Sequence, residues 1–224
     1  MTPFAVFDLD DTLVDYVSAI DAAFVALAEE RALGPEGLAF LRAEQEKPGT
    51  PEESWQAIAD RFGFPESPDE LTRAFAERLP SLCQPYEGAI DGLRALRNAG
   101  WRTALLTNGA EAEQRIKMST GLDGLFDAYC FTDAETARKP DPTVFQIVAD
   151  RADAELEGAW MVGDSLSADI AGGAAVGMRT LWVSGDRVAP AGGPTPDVTV
   201  STIAEAFPLL LRIDTHSRSN RFLT

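Results

Sequence analysis

The stretch Phe4-Ala5-Val6-Phe7-Asp8-Leu9-Asp10-Asp11-Thr12-Leu13 decides the fold. Its first four residues form an apolar run that reads as a buried strand. Three carboxylates, Asp8, Asp10 and Asp11, stand where that strand should end. Crowded carboxylates repel one another and lose solvation, so the cluster needs compensating charge. A hard divalent cation with oxygen ligands, such as Mg²⁺, supplies it. In an open parallel sheet the carboxyl ends of the strands form the ligand crevice. Acidic residues at the end of a first strand therefore point to a metal-assisted site. The alternative, for this stretch alone, is a solvated acidic turn or a helix N-cap, since Asp is common at both.

Working outward, Ile20, Phe24 and Leu27 follow the i, i+4, i+7 spacing of an amphipathic helix, and Gly34-Pro35 breaks that pattern. A short helix is expected around Leu38 and Leu41, then a loop at Pro48-Gly49-Thr50-Pro51. Trp55, Ile58, Ala59 and Phe62 form a further apolar stripe, closed by Gly63 and Pro65. Leu71, Phe75 and Leu79 mark a helix expected to stop before Pro80. No strand is read between Tyr16 and Gln84, so residues 16–84 are expected to be a helical insert with its aromatic residues in its core. From Tyr86 the pattern alternates. Ile90, Leu93 and Leu96 mark a helix stopped by Gly100. Strands are expected at Trp101–Thr107, Asp127–Thr132, Ala159–Val162, Thr180–Val183 and Val198–Val200. Helices are expected up to Ile116, after Asp141-Pro142, over Ala168–Val176 and over Ile203–Leu211. Strands alternating with helices imply a mainly parallel sheet with both faces covered. The predicted fold class is therefore α/β: a three-layer Rossmann-like core (1–15 and 85–211), the helical insert, and a polar tail (212–224).

Composition excludes several classes of function. The 224 residues carry 19 Lys and Arg against 36 Asp and Glu, a net charge of −17. Binding to a nucleic-acid backbone rests on Lys/Arg neutralisation, so no nucleic-acid partner is expected, nor an anionic membrane surface. A small anionic substrate remains compatible if a metal and local cations offset the field. The basic residues include only three lysines, Lys47, Lys117 and Lys139, so a lysine beside a motif carries weight. Cys83 and Cys130 have no zinc-type spacing and require no disulfide, which fits a reducing cytoplasm. The start of the chain runs into a strand and does not read as a signal peptide, and no apolar run has the length of a membrane span. The one histidine, His216, lies in the polar tail, which disfavours histidine-based phosphatase chemistry. Thiol phosphatases need an Arg six residues after the nucleophilic Cys, and those positions hold Ala89 and Thr136. Whatever chemistry occurs must rest on Asp, Glu, Lys, Ser or Thr.

Polar residues recur at expected strand ends: Asp8 and Asp10, Thr107 and Asn108, and Asp164, with Lys139 a loop beyond the third strand. Asp8-x-Asp10-x-Thr12, Thr107-Asn108-Gly109, Lys139-Pro140-Asp141-Pro142 and Gly163-Asp164-Ser165-x-x-x-Asp169, in this order, resemble the motifs of the haloacid dehalogenase superfamily. The resemblance reaches to about Leu211 and makes residues 16–84 that family's helical cap. It implies a phosphatase acting on a small phosphorylated metabolite. It casts Asp8 as a nucleophile that forms an aspartyl phosphate and Asp10 as the general acid and base. Mg²⁺ would be held by Asp8, Asp164 and the backbone carbonyl of Asp10, with Asp169 and Thr12 behind them. Thr107 and the backbone at Asn108 would bind phosphate, and Lys139 would neutralise charge between nucleophile and phosphate. Asp11 and Asp15 are read as peripheral. Because dehalogenases lack an acid/base Asp at the position of Asp10, phosphate ester hydrolysis is favoured over carbon–halogen cleavage.

A phosphomutase of the same family would use the same carboxylate pair. Two other readings compete. Gly163-Asp164-Ser165-Leu166 matches the short signature of GDSL esterases, with Asp214 and His216 downstream, but the order and spacing differ and Asp8, Asp10 and Lys139 would be left without a task. A non-enzymatic module of the same fold would be expected to lack at least one chemical residue, and none is missing. Substrate identity and the choice between monomer and homodimer are not encoded in any motif.

Overall fold

The computed structural model describes residues 2–132 and 137–219, the last six as backbone only. Thr136, Asn220 and Arg221 lie outside that description, as do the side chains of Asp214 and His216. The chain forms two compact units, Met1–Asp15 with Pro85–Thr224, and Tyr16–Gln84.

The first unit is built on six strands: β1 (Phe4–Phe7), β4 (Arg102–Thr107), β5 (Ala128–Phe131), β6 (Trp160–Gly163), β7 (Arg179–Val183) and β8 (Val198–Val200). They pair in the order β5-β4-β1-β6-β7-β8, all parallel. Two further strands of two residues each, β2 (Val14–Asp15) and β3 (Gln84–Pro85), pair with each other. The apolar run that opens the sequence becomes the central strand, and all four of its residues are buried. Such a strand must be covered on both faces. On one face Val6, Ala104, Leu106 and Cys130 pack with Val144, Phe145, Val148 and Ala149 of α7 (Pro142–Arg151). On the other lie α5 (Ala89–Asn98) and α9 (Ile203–Ser219), where Phe7 stacks on Phe207 with ring centroids 5.9 Å apart. Gly92 of α5 exists for that approach, since a Cβ there would stand 1.9 Å from the Phe207 ring. The chain crosses the sheet between β5 and β6, so the order reverses around β1. Ligands of open parallel sheets bind at such a switch point, outside the carboxyl ends of the strands.

The second unit contains α1 (Tyr16–Glu30), α2 (Gly34–Glu46), α3 (Pro51–Phe62) and α4 (Pro68–Leu82). Phe24, Leu41, Trp55, Ile58 and Leu71 form its core, with Phe24, Trp55 and Phe75 in mutual ring contact. Thr50 with Glu53, and Ser67 with Glu70, make reciprocal capping boxes that fix the starts of α3 and α4.

Several boundaries differ from the sequence expectation. The short helix expected around Leu38 is a 13-residue α2 whose first turn accepts Pro35. Helix α4 continues through Pro80 to Leu82, because a proline one turn from the end forfeits only one backbone bond. The expected helix Ala168–Val176 is a π-helical turn, Leu166–Ile170, followed by a short α8 (Ala171–Ala175). The last helix, expected to end at Leu211, runs on to Ser219, since no Gly or Pro follows Pro208 to stop it. Both cysteines are buried, and neither is in a disulfide. Among the described residues no helix is long and apolar enough to cross a membrane.

Candidate active site

Three neighbouring strands, β4, β1 and β6, end on Thr107, on Phe7 before Asp8, and on Gly163 before Asp164. Parallel pairing in matched register puts those ends side by side, so residues about a hundred positions apart converge. Asp8 is fixed by its N–H, which donates to Val162 O of β6 at 2.9 Å. The chain then turns sharply: the N–H groups of Leu13 and Val14 both donate to Leu9 O, and Asp11 takes a left-handed conformation with φ of 54°. Thr12 is wholly buried inside this turn, its hydroxyl without a hydrogen-bond partner among the described residues.

Lys139 is the hub. Its Nζ donates to Asp8 Oδ1 at 2.6 Å and to Asp169 Oδ1 at 2.7 Å, and all three side chains are buried. Asn108 holds the lysine's backbone: its Oδ1 accepts from Lys139 N–H at 2.9 Å and its Nδ2 donates to Lys139 O at 3.1 Å. Asn108 Oδ1 also accepts from the Thr132 hydroxyl at 2.8 Å. The Asn108 side chain is thus spent on placing Lys139, and only its backbone fits the phosphate-binding role expected from the sequence. Asp169 is drawn in from the π-helical turn, where Ser165 N–H donates to its Oδ2 at 3.0 Å. Ser165 itself caps that turn, its Oγ accepting from Ala168 N–H at 3.2 Å. That is a structural task, and no partner of an esterase triad is seen beside it among the described side chains.

The three carboxylates Asp8, Asp164 and Asp169 each bring an oxygen within 4.8 Å of the others. Burial raises the Asp8 carboxyl, with Lys139 pulling it down and Asp169 and Asp164 pushing it up, to about 8. Asp164 is raised by burial and by Asp169, against the opposing Arg187, whose Nη1 donates to Asp164 Oδ2 at 3.0 Å. Burial alone would lower the Lys139 ammonium, but Asp169 and Asp8 outweigh it and hold the lysine above its ordinary value, hence cationic. The site is therefore short of positive charge. An all-oxygen cluster of this kind fits a hard divalent cation. Asp8 and Asp164 suit direct ligation better than Asp169, both of whose oxygens are engaged by Lys139 and Ser165.

Asp10 stands apart from this cluster. Its two oxygens accept from Lys117 Nζ at 2.7 and 2.8 Å, and Oδ2 also accepts from Gln114 Nε2 at 3.1 Å. Gln114 Nε2 donates as well to Thr107 Oγ1 at 2.6 Å. Gln114 and Lys117 lie on α6 (Glu111–Met118) and were not singled out as site residues from the sequence. The scarcity of lysine pointed to Lys117 only in general terms. A cavity of about 380 Å³ opens at the other, amino ends of the strands, beside Phe4, Trp101 and Trp160, away from all of these groups.

A family of haloacid dehalogenase-like hydrolases matches residues 4–177. The chain belongs to that family. It is 36% identical over 197 residues to a phosphoglycolate phosphatase of Cereibacter sphaeroides, covering 84% of this chain and 88% of the relative. It is 30% identical over 162 residues to pyrimidine 5'-nucleotidase YjjG of Escherichia coli, covering 71% of this chain and 69% of the relative. Among solved structures, the putative hydrolase YfnB of Bacillus subtilis superposes with a TM-score of 0.75 at 22% identity, covering 93% of this chain and 98% of that one, and shares the fold. This haloacid dehalogenase-like hydrolase is thus an enzyme whose curated relatives include phosphatases.

Proposed function

We propose that this hydrolase cleaves a small phosphate monoester through an aspartyl phosphate on Asp8. A single observation carries the reading: a second carboxylate, Asp10, lies two residues beyond the buried Asp8 and is tied through Gln114 to the Thr107 hydroxyl. Displacement of halide from carbon needs no such proton carrier, whereas an alkoxide leaving group does. In the first displacement a carboxylate oxygen of Asp8 attacks phosphorus. The bond to the ester oxygen breaks, and Asp10 gives that oxygen its proton. In the second, water attacks the same phosphorus and passes a proton to Asp10. The bond to Asp8 breaks and inorganic phosphate leaves, so that ester and water become alcohol and phosphate.

Lys139 offsets the charge of Asp8 and of the incoming phosphoryl group, with Thr107 and the backbone at Asn108 as hydrogen-bonding partners. Mg²⁺ would be held by Asp8, Asp164 and the carbonyl of Asp10, and when bound it would supply charge neutralisation at the phosphoryl oxygens. Asp169 keeps Lys139 in place. The relatives that act on phosphoglycolate and on pyrimidine nucleotides support small phosphorylated metabolites as the substrate class.

Asp8→Asn and Asp10→Asn test the division of labour. With Mg²⁺ and an aryl phosphate, Asp8→Asn should lose turnover and show no adduct. Asp10→Asn should turn over about 10²–10⁴-fold more slowly and accumulate phosphate on Asp8, seen by rapid quench and mass spectrometry. Phosphate found on Ser165 or Asp164 instead would overturn the assignment.

A further inference from the structure

Helix α6 turns polar side chains inward: Gln114 and Lys117 are buried together with Met118, while Ile116 is 47% exposed. An amphipathic helix ordinarily turns its apolar side chains inward, and a buried ammonium is costly unless it is paired. A polar pair three residues apart on the inner face therefore calls for a partner, and the partner is Asp10. The Asp10 side chain keeps 27% of its surface exposed, against 5% for Lys117. Asp10 could thus be solvated without help, and the desolvation falls on the lysine. An ion pair serving stability alone would be matched or bettered by an apolar pair of the same volume. Departures from the binary pattern of this kind concentrate at functional sites.

We propose that Gln114 and Lys117 are positioning residues for Asp10, forming a clamp that fixes its carboxylate relative to the phosphate-binding Thr107. Lys117 Nζ grips both oxygens and anchors the head of the carboxylate. Gln114 uses one amide nitrogen to tie Asp10 Oδ2 to Thr107 Oγ1, and so sets the distance between the proton carrier and the phosphate pocket. The clamp holds Asp10 ready for the second displacement, in which its carboxylate takes a proton from the water that attacks phosphorus as the bond to Asp8 breaks. Misplacement by about an ångström is enough to slow such a step severely. This inference rests on the reading of Asp10 as acid and base.

The test is a set of double-mutant cycles on the full-length enzyme with Mg²⁺, using 4-nitrophenyl phosphate and phenyl phosphate. Lys117→Met and Gln114→Met should each lower kcat by about 10–100-fold, a part of the whole general acid–base contribution. KM should fall together with kcat, leaving kcat/KM for 4-nitrophenyl phosphate within about twofold, and the two substrates should approach the same kcat, because both leave the same aspartyl phosphate. Phosphate should accumulate on Asp8 in both variants, and Lys117→Arg should recover part of the rate. In an Asp10→Asn background the same substitutions should change kcat by less than about twofold, because the group they position is gone. Full additivity in that background would overturn the clamp, as would unchanged kcat in both single variants or a change confined to KM. Should Lys117→Met fail to fold, Gln114→Met, which removes no charge, carries the same cycle. A wild-type enzyme that forms no adduct on Asp8 overturns both the clamp and the reaction it serves. A wild type that forms one, with clamp variants of equal rate, overturns the clamp alone.

Discussion

Lys139→Met removes the cation that lies between Asp8 and Asp169 while keeping most of the side-chain volume. The Lys139 side chain is 2% exposed and that of Asp169 is fully buried, so solvent cannot take over the lost pairing. Removing one member of a buried ion pair costs about 3–5 kcal/mol, because the remaining charge is stranded. That is a large share of a typical total stability of about 5–15 kcal/mol. For a chain of this size each kcal/mol moves the melting temperature by about 2–4 °C, so a fall of about 6–20 °C is expected. The assay is thermal and urea unfolding without added divalent cation. The double variant Lys139→Met/Asp169→Asn should recover part of the loss, since it removes the charge left stranded at Asp169. If Lys139→Met unfolded with the wild type, or if Asp169→Asn worsened it, the account of Lys139 as the charge hub would be wrong.

Mg²⁺ should raise the melting temperature, and the rise should be larger near about pH 8 than near about pH 6, because the cation must displace a proton from Asp8 before binding. The sign follows from burial, which lifts the Asp8 carboxyl from 3.8 to about 8. Without the cation, the folded state binds a proton that the unfolded state has lost, so stability should fall as pH rises through that window. A Mg²⁺ shift that grew toward acid would contradict this, and differential scanning fluorimetry across pH decides it. Gly163→Ala would put a Cβ 2.3 Å from the Asp169 carboxyl carbon, so Asp169 must move and Lys139 with it. Its kcat with an aryl phosphate should drop by about tenfold or more. Gly92→Ala drives a Cβ into the Phe207 ring and should cost about 1–3 kcal/mol or more by urea unfolding. It should leave kcat intact where the protein is folded, since neither residue touches the site.

Local patterns carried much of this protein. The run Phe4–Phe7 is apolar at every position because a central parallel strand is covered on both faces, and that is visible without neighbours. The stripes of α3 and α4 and the polar residues at strand ends are likewise matters of short-range spacing. Boundaries were less legible where the deciding factor lies elsewhere in the fold. The π-helical turn at Leu166–Ile170 coincides with the approach of Asp169 to Lys139, a contact over 30 residues.

The alternation of strands and helices and the charged residues at the strand ends follow from periodicity and residue type along short stretches of chain. Which charge meets which depends on contacts between distant segments. Lys139 reaches Asp8 across 131 positions, and Lys117 reaches Asp10 across 107. The Asn108 side chain is taken up in holding the lysine backbone, a contact over 31 positions. The inward turn of Gln114 and Lys117, with Ile116 left outside, runs against the helix's own hydrophobic pattern. It is sustained by something local spacing does not encode, the Asp10 carboxylate delivered by the turn after β1.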